Sequence, residues 1–133
     1  MFIVVTDPVV REKLAQASPP PPDPARPKPL LEAPLVVILA VNKDEDPMFH
    51  KYDGALVAAY FMLAAHALGL GTVWAGIGTE QEISAVRRAV SLPDSYLSVA
   101  LIPVGYPDEK PEPRPRKPIE EITRYNIFQV NVA

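Results

Sequence analysis

The chain has 133 residues, of which 48% are hydrophobic and 22% are charged, and it contains 17 prolines but no cysteine. Its length suits one domain, and its apolar fraction excludes a chain that is disordered throughout. A net charge of −3 argues against a basic nucleic-acid-binding surface, so nucleic acid is not an expected partner. The lack of cysteine excludes disulfides, thiolate nucleophiles and cysteine-ligated metals, and it fits a cytoplasmic location.

Proline is concentrated in two segments that flank most of the apolar sequence. Eight prolines lie within residues 19–34 and six within residues 103–118. Because proline fixes φ and has no N–H to donate, these segments favour extended backbone. We therefore expect a single domain over residues 1–133 in which residues 19–34 form a stiff loop. An adaptor that displays residues 19–29 to an aromatic groove is a weaker alternative.

The first elements in chain order are a strand, a helix and a second strand. Residues 2–6 are apolar and mostly β-branched, which predicts a buried strand. Asp7 and Pro8 supply the N-cap and the first position of a helix that turns one apolar face inward. Residues 35–41 form an uninterrupted apolar run, which is typical of a central strand that is covered on both faces.

A long uncharged stretch follows, since residues 54–78 contain no Asp, Glu, Lys or Arg. We expect Asp53 to cap a helix over about residues 54–68, which is apolar on nearly every face and therefore buried all round, at the centre of the domain or of an interface. Gly69 and Gly71 would end this helix. The stretch is also long enough for a membrane span, but its internal histidine and the absence of flanking Lys/Arg clusters favour a buried helix followed by a strand.

The second half of the chain predicts three further strands and two helices. Strands are expected at residues 72–77 and 97–104, and in the alternating tail at residues 127–132. A capping box at residues 79–82 opens an amphipathic helix between the first two strands, and Pro118 begins a short helix before the tail. The resulting β-α-β-α-β-α-β-α-β order predicts an α/β fold in which helices flank a central mixed sheet.

Two pairs of glycines are candidates for a ligand-binding loop. Gly69 and Gly71 close a helix and precede a strand, which is the reverse of a phosphate-binding loop, so we reject a dinucleotide site there. Gly76 and Gly78 follow a strand and lead into the capped helix, where the backbone and the helix N-terminus can approach a flat or anionic ligand. The alternative is an ordinary turn that needs the conformational freedom of glycine.

Arg114 and Arg116 are the second candidate for binding. They lie two residues apart in an extended, proline-stiffened segment, so both can project to one side and hold a phosphate. The alternative is a solvated basic linker between Glu112 and Glu120. The two histidines lack a metal-ligand spacing and no serine lies in a nucleophile elbow, so we predict no metal site and assign no catalytic residue.

As a set, four segments resemble the FMN-dependent nitroreductase family. They are residues 2–7 at the start, the alanine-rich helix and strand at residues 53–74, residues 100–107 and residues 114–121. The resemblance as a whole extends over about residues 2–126. The resemblance implies a nitroreductase-like α+β fold and a homodimer that binds FMN at the subunit interface.

The resemblance also implies a chemistry and its residues. Members of the family take hydride from NADH or NADPH onto the flavin and pass electrons to nitroaromatics, quinones or similar small molecules. The stretch that lines the isoalloxazine ring is matched here by Trp74, Ala75, Gly76 and Ile77. The basic pair near the flavin phosphate is matched by Arg114 and Arg116.

The two ends of the chain carry further expectations. The tail at residues 126–133 is expected to pack on the partner, where its strand can be exchanged into the neighbouring sheet. The family's N-terminal helical segment, with its Arg-Ser-x-Arg-type phosphate motif, has no counterpart ahead of the first strand, so only half of the pocket is expected here. Either the chain is a short member of the family, or a partner chain supplies the rest, or the coding start is set too late. A non-catalytic dimeric module that keeps the fold and holds a flavin is the alternative to an oxidoreductase.

Overall fold

The computed structural model describes residues 1–18 and 28–128. Its strands are β1 (Phe2–Val5), β2 (Leu35–Asn42), β3 (Gly71–Thr72) and β4 (Tyr96–Gly105). Its helices are α1 (Pro8–Ala17), α2 (Pro29–Glu32), α3 (His50–Ala67), α4 (Glu80–Ala89) and α5 (Ile119–Ile122).

The four strands form one sheet in the order β1-β2-β4-β3. Every pairing among these described strands is antiparallel, with Val37 opposite Ile102 at the centre. The predicted combination of a sheet and flanking helices is confirmed, whereas the parallel pairs of a mixed sheet are not found in this part of the chain. β1 lies at an edge and exposes Phe2 and Val4, so the prediction of a buried first strand was wrong. An edge strand has one neighbour only, and its outer side chains are left partly uncovered.

The two inner strands carry a hydrophobic core on each face of the sheet. On one face Ile38 and Leu101 pack with side chains of α1 and α4, including the fully buried Leu14. On the other face Leu39 and Ile102 pack against α3. Full burial of such a side chain stabilises the fold by about 1.5–3 kcal/mol. The prediction that residues 35–41 form a central strand covered on both faces is confirmed.

Local capping signals set the starts of α1 and α4 as predicted. The Asp7 carboxylate accepts the N–H groups of Val9 and Val10 at 2.8 and 3.1 Å, and Pro8 occupies the first turn. Thr79 and Glu82 form the expected capping box. Each cap satisfies N–H groups that have no partner inside the helix.

The Pro-rich segment at residues 19–34 is described only in part, because residues 19–27 lie outside the described residues. Its last part is not a loop, since Pro29–Glu32 forms the short helix α2. The Arg11 guanidinium reaches across from α1 and donates to the carbonyl groups of Leu31, at 3.0 Å, and of Ala33. These bonds satisfy carbonyls at the end of α2 and tie it to the body of the protein.

The long helix α3 differs from its prediction in two respects. It begins at His50 rather than after Asp53, because the Asp46 carboxylate accepts the N–H groups of Met48 and Phe49 at 3.1 and 2.9 Å and starts the turn earlier. It is also not buried all round, because the sheet covers only the side that carries Gly54, Ala58 and Ala65. Its opposite side, which we call the α3 outer face, consists of exposed Leu56, Val57, Tyr60 and Leu63.

Strand β3 is shorter than the predicted residues 72–77. It pairs with β4 at Gly71 and Thr72, and the contact resumes only at Ala75, which forms an isolated bridge with Leu101. The same register places Pro103 opposite Val73, at a position where the β4 residue would donate an N–H to β3. Proline has no N–H, so the ladder is interrupted there. Val73 and Trp74 consequently remain exposed.

The chain leaves the sheet after β4 in a segment that we call the C-terminal arm, residues 106–128. Every residue from 106 to 122 is exposed. Pro118 precedes the short helix α5, as predicted. The predicted tail strand at residues 127–132 falls mostly outside the described residues, and residues 127 and 128 are not in a strand, so its exchange with a partner stays a prediction.

Within residues 1–18 and 28–128, the helices fall short of the combined length and apolar composition that a bilayer crossing requires. The uncharged stretch at residues 54–78 instead forms most of α3 and then β3.

Candidate functional site

The candidate site is built around residues 73–79, the binding loop, which connects β3 to α4. One side of it is attached to the sheet, because Ala75 and Leu101 exchange hydrogen bonds of 2.9 and 3.3 Å. The other end is attached to α4, because the Glu82 carboxylate oxygen Oε2 accepts the N–H groups of Gly78 and Thr79 at 2.8 and 2.9 Å. Only two residues lie between these attachments.

The glycines of the binding loop are not required by the chain itself. Neither Gly76 nor Gly78 has a left-handed φ, and Gly69 is the described glycine that does. A Cβ atom on Gly78 would meet nothing within 4 Å, and one on Gly76 would meet only the Trp74 Nε1 atom, at 4.0 Å. The interpretation of this segment as a turn that needs glycine is therefore not supported. Glycine here leaves the backbone open to approach from outside the chain.

The two residues between the attachments present unused backbone donors. Among the described residues, the N–H groups of Gly76 and Ile77 make no hydrogen bond, whereas those of Ala75, Gly78 and Thr79 do. The Ile77 side chain packs against the core, which holds its peptide group in place. Since backbone N–H groups are obligatory donors, this arrangement suits a ligand with acceptor atoms at its edge.

Trp74 stands next to these donors, and 39% of its surface is exposed. A large exposed ring beside accessible backbone favours contact with a flat ligand.

The N-terminus of α4 does not offer a free anion site, contrary to the sequence-based expectation. The chain's own Glu82 carboxylate already occupies it. Hydrogen bonds from the backbone N–H groups of Thr79 and Gly78 lower the pKa of Glu82 below its ordinary value. A carboxylate held in this way fulfils the role that a bound anion would otherwise have at the helix start.

Arg114 and Arg116 lie on the C-terminal arm, and both are exposed. Within the described ranges neither guanidinium makes an ion pair, and Arg116 reaches only the Arg114 carbonyl, at 3.4 Å. The hydrogen bonds of residues 108–128 are all local to that segment in the described part of the chain. Within residues 1–18 and 28–128, no hydrogen bond or ion pair therefore connects these arginines to the binding loop.

The α3 outer face is exposed in one chain, which excludes burial at the centre of the domain and leaves the expected position at an interface as a prediction. Tyr60 and Leu63 are 69% and 66% exposed, and Leu56 is 57% exposed on the same side. A contiguous apolar surface of this kind is typical of a protein–protein contact. The signal in the sequence was the uncharged helix itself, which cannot be covered on every side by a four-stranded sheet.

No group of three or more His, Asp or Glu side chains in the described residues is placed to hold a metal ion. His50 is engaged locally, with its Nδ1 atom 2.8 Å from the Asp46 carbonyl oxygen.

Comparison with known proteins identifies the family to which this chain belongs. The model of the Nitroreductase family matches residues 2–106, which include both inner strands, α3 and the binding loop. The chain belongs to the nitroreductase family. The family resemblance expected from the sequence is confirmed, and the C-terminal arm lies almost wholly beyond the matched residues.

Individual relatives agree with this assignment. The chain is 35% identical over 86 residues to a Methanothermobacter thermautotrophicus protein named NADH dehydrogenase/NAD(P)H nitroreductase, a match that covers 62% of this chain and 45% of that protein. It is 31% identical over 77 residues to the NADPH-flavin oxidoreductase of Vibrio harveyi, covering 58% of this chain and 32% of that one. The chain thus spans less than half the length of these two curated relatives.

The fold of this nitroreductase family member is likewise found in solved structures. A Bacteroides thetaiotaomicron protein, also named NADH dehydrogenase/NAD(P)H nitroreductase, superposes with a TM-score of 0.84 at 29% identity. The superposition covers 96% of this chain and 72% of that protein. The nitroreductase-like fold predicted from the sequence is confirmed.

Proposed function

We propose that this chain forms the core of an FMN-dependent oxidoreductase that passes electrons from NADH or NADPH to a nitroaromatic, a quinone or a similar small acceptor. The observation that carries the proposal is the pair of N–H groups at Gly76 and Ile77, which bond to no described residue and lie beside an exposed tryptophan. The name of the Vibrio harveyi relative, which is a flavin oxidoreductase, supports a flavin as the ligand.

The residues of the binding loop fit FMN. A flat isoalloxazine ring needs close approach to backbone, which Gly76 permits because nothing occupies the space where a Cβ atom would lie. Ring nitrogen and oxygen atoms can accept from the Gly76 and Ile77 N–H groups, and Trp74 would contact the ring system. When bound, FMN supplies the acceptance and transfer of hydride or electrons, while the protein orients the ring and excludes water from it.

The phosphate of FMN would be held by Arg114 and Arg116. Both are permanently charged, and neither is committed to an ion pair within the described residues. Because no hydrogen bond or ion pair joins the C-terminal arm to the binding loop among the described residues, we propose that the site is completed in a homodimer, with FMN lying across the interface. The α3 outer face and the apolar side chains of the arm would be covered by the same association.

The partner's tail would complete this dimer. β1 is an open edge of the described sheet, and strand addition from residues 126–133 of a second copy would pair its free backbone groups.

Absorbance spectroscopy tests the proposal. The purified chain, incubated with FMN and freed of excess ligand, is expected to retain a stoichiometric flavin band, and anaerobic NADH or NADPH is expected to bleach it. A retained flavin that neither nucleotide reduces would assign the chain to the alternative, a flavin-holding module without turnover. Failure to retain flavin at any protein concentration would contradict both.

A further inference from the structure

We infer that Glu82 is a positioning residue for the flavin-binding segment at residues 74–77, in addition to being the cap of α4. The inference rests on the proposed function, because it concerns how the chain presents Gly76 and Ile77 to a flavin ring. It is carried by the geometry of the two hydrogen bonds that Glu82 makes to the binding loop.

The Glu82 carboxylate reaches further than an ordinary capping box. In such a box the third residue of the helix accepts the N–H of the N-cap residue, here Thr79, while the N-cap hydroxyl accepts in return. Glu82 accepts the Thr79 N–H at 2.9 Å and also the Gly78 N–H at 2.8 Å, with the same oxygen atom. The second bond lies outside the helix, on the residue that directly follows Ile77.

This second bond completes the restraint of the loop. The Ala75–Leu101 bridge holds the other side, so the peptide groups of Gly76 and Ile77 are suspended between two fixed points. No side chain at residue 76 or 78 can add packing, because both are glycine. Besides the packing of the Ile77 side chain against the core, the carboxylate is the contact that restrains the end of the segment next to α4, and without it Gly78 would sample more backbone conformations.

Pre-ordering of this kind raises ligand affinity. A loop that is already in its bound conformation loses less conformational entropy when the ligand arrives. The ionised state of Glu82 suits this role, since hydrogen bonds from N–H groups to a carboxylate are stronger than those to a neutral acceptor. The lowered pKa of Glu82 agrees with a carboxylate that is held in its charged form.

The test separates loop positioning from helix capping by means of matched variants. Glu82→Ala removes both loop bonds, whereas Glu82→Gln keeps an acceptor oxygen in the same place. Thr79→Ala removes the hydroxyl that accepts the Glu82 N–H at 3.2 Å, so it weakens the start of α4 while both loop bonds remain. Glu80→Ala removes a carboxylate from the same helical turn that has no bond to the loop in the described structure.

Two quantities are measured for each variant: the FMN dissociation constant, from quenching of flavin fluorescence, and amide hydrogen exchange at residues 76–79 without FMN. For Glu82→Ala we expect the dissociation constant to rise about tenfold, equivalent to about 1.4 kcal/mol, and exchange at Gly78 and Thr79 to accelerate. Glu82→Gln is expected to restore the affinity to within about threefold of the parent. Glu80→Ala is expected to stay within about twofold, and Thr79→Ala is expected to lose clearly less affinity than Glu82→Ala because both backbone bonds to Glu82 remain.

Two results would overturn the inference. One is a Glu82→Ala variant that binds FMN like the parent; the other is a loss of affinity in Thr79→Ala equal to that in Glu82→Ala. If the parent itself binds no FMN, the proposed function fails, yet hydrogen exchange still decides this inference. Faster exchange at residues 76–79 in Glu82→Ala, but not in Thr79→Ala, would support it, and equal exchange in both variants would refute it.

Discussion

The binding loop and the C-terminal arm contribute to one proposed site, but they are held in opposite ways. The binding loop is tied to the sheet at Ala75 and to α4 through Glu82, so its geometry is set within one chain. The arm, where Arg114 and Arg116 lie, makes only local hydrogen bonds in the described structure and is exposed along most of its length. In the proposed site, the part that would contact the flavin ring is therefore already ordered within one chain. The part that would contact the phosphate would be ordered only when two chains associate.

The largest effect is predicted for substitutions on the α3 outer face, which test whether a second copy of the chain completes the site. If the arm is ordered by a second copy, placing charge on that face should abolish the dimer. For the double variant Leu56→Glu/Leu63→Glu we expect the dimer dissociation constant to rise more than about 100-fold, because two carboxylates would be desolvated in an apolar interface. Analytical ultracentrifugation measures it.

Val9 supplies the control for that experiment, since it is an equally exposed apolar residue on α1, away from α3. Val9→Glu is expected to leave the sedimentation profile unchanged. A parent chain that is monomeric at tens of micromolar, or a double variant that dimerises like the parent, would contradict the proposal that a dimer completes the phosphate side of the site.

The arginines come next in expected size. Arg114→Ala/Arg116→Ala is expected to weaken FMN binding by about 100-fold, because two charge-assisted hydrogen bonds to a phosphate, each near the lower end of about 1.5–3 kcal/mol, together contribute about 3 kcal/mol. Lys110→Ala/Lys117→Ala removes the same charge from the same arm and should change the affinity by less than about threefold. Titration calorimetry with FMN and with riboflavin, which lacks the phosphate, checks the assignment. Equal losses for both ligands would show that the arginines do not contact the phosphate.

Substitution of Gly76 tests whether the open backbone of the binding loop serves the flavin ring. Because a Cβ atom at this position meets no neighbour closer than 4.0 Å, Gly76→Ala should leave the free energy of unfolding within about 0.5 kcal/mol of the parent. The added methyl group should nevertheless raise the FMN dissociation constant about tenfold, since it occupies the space assigned to the ring. Urea denaturation and fluorescence titration measure the two effects separately.

Gly78→Ala is the matched substitution, because its space is equally open but its N–H is already bonded to Glu82. We expect its FMN affinity to stay within about threefold of the parent. A Gly76→Ala variant with lower stability and unchanged affinity would mean that the glycine serves the fold rather than a ligand.

The smallest predicted effect is a pH dependence of stability at Glu82. Its pKa is lowered in the folded protein by backbone N–H groups, so its contribution to stability is complete above the ordinary carboxylate pKa and is lost as the pH falls through the lower folded value. The difference in urea midpoint between the parent and Glu82→Gln should therefore be largest near about pH 7 and shrink towards about pH 3. Glu80→Gln changes the same charge in the same turn, and an identical profile for it would argue against the two loop bonds.

Signals that act over three or four residues could be read from the sequence. Asp7 with Pro8, and the capping box of Thr79 with Glu82, located the starts of α1 and α4 because each cap binds backbone only two or three residues away. The same Asp-Pro signal recurs at Asp46, whose carboxylate bonds to the N–H groups two and three residues on, as Asp7 does. Here the bonds form a turn at residues 46–49 that leads into α3, which begins at His50 with Phe49 as its N-cap, whereas Asp53 next to the apolar run predicts a start four residues too late.

Contacts between distant residues account for what the sequence did not show. The shortening of β3 depends on the register that sets Pro103 opposite Val73, and a register between strands cannot be deduced from either strand alone. Likewise, the apolar composition of α3 indicated that the helix is buried, but it did not show which neighbouring segment covers each side of it. Only the sheet, which covers the side with Ala58, shows that Tyr60 lies on the uncovered side.

The amino-acid sequence by itself determined the local starts of helices, the covered central strand and membership of the nitroreductase family. The helix starts follow from hydrogen bonds between near neighbours and the central strand from a run of apolar residues, whereas the family follows from the resemblance of four segments to its members. The tertiary structure alone decided the antiparallel strand order and the open glycine backbone, whose N–H groups at Gly76 and Ile77 bond to no described residue, and it shows no hydrogen bond between that loop and the arginines in the part of the chain that it describes. Each of these depends on which distant segments meet, because packing and register are properties of pairs of segments rather than of one.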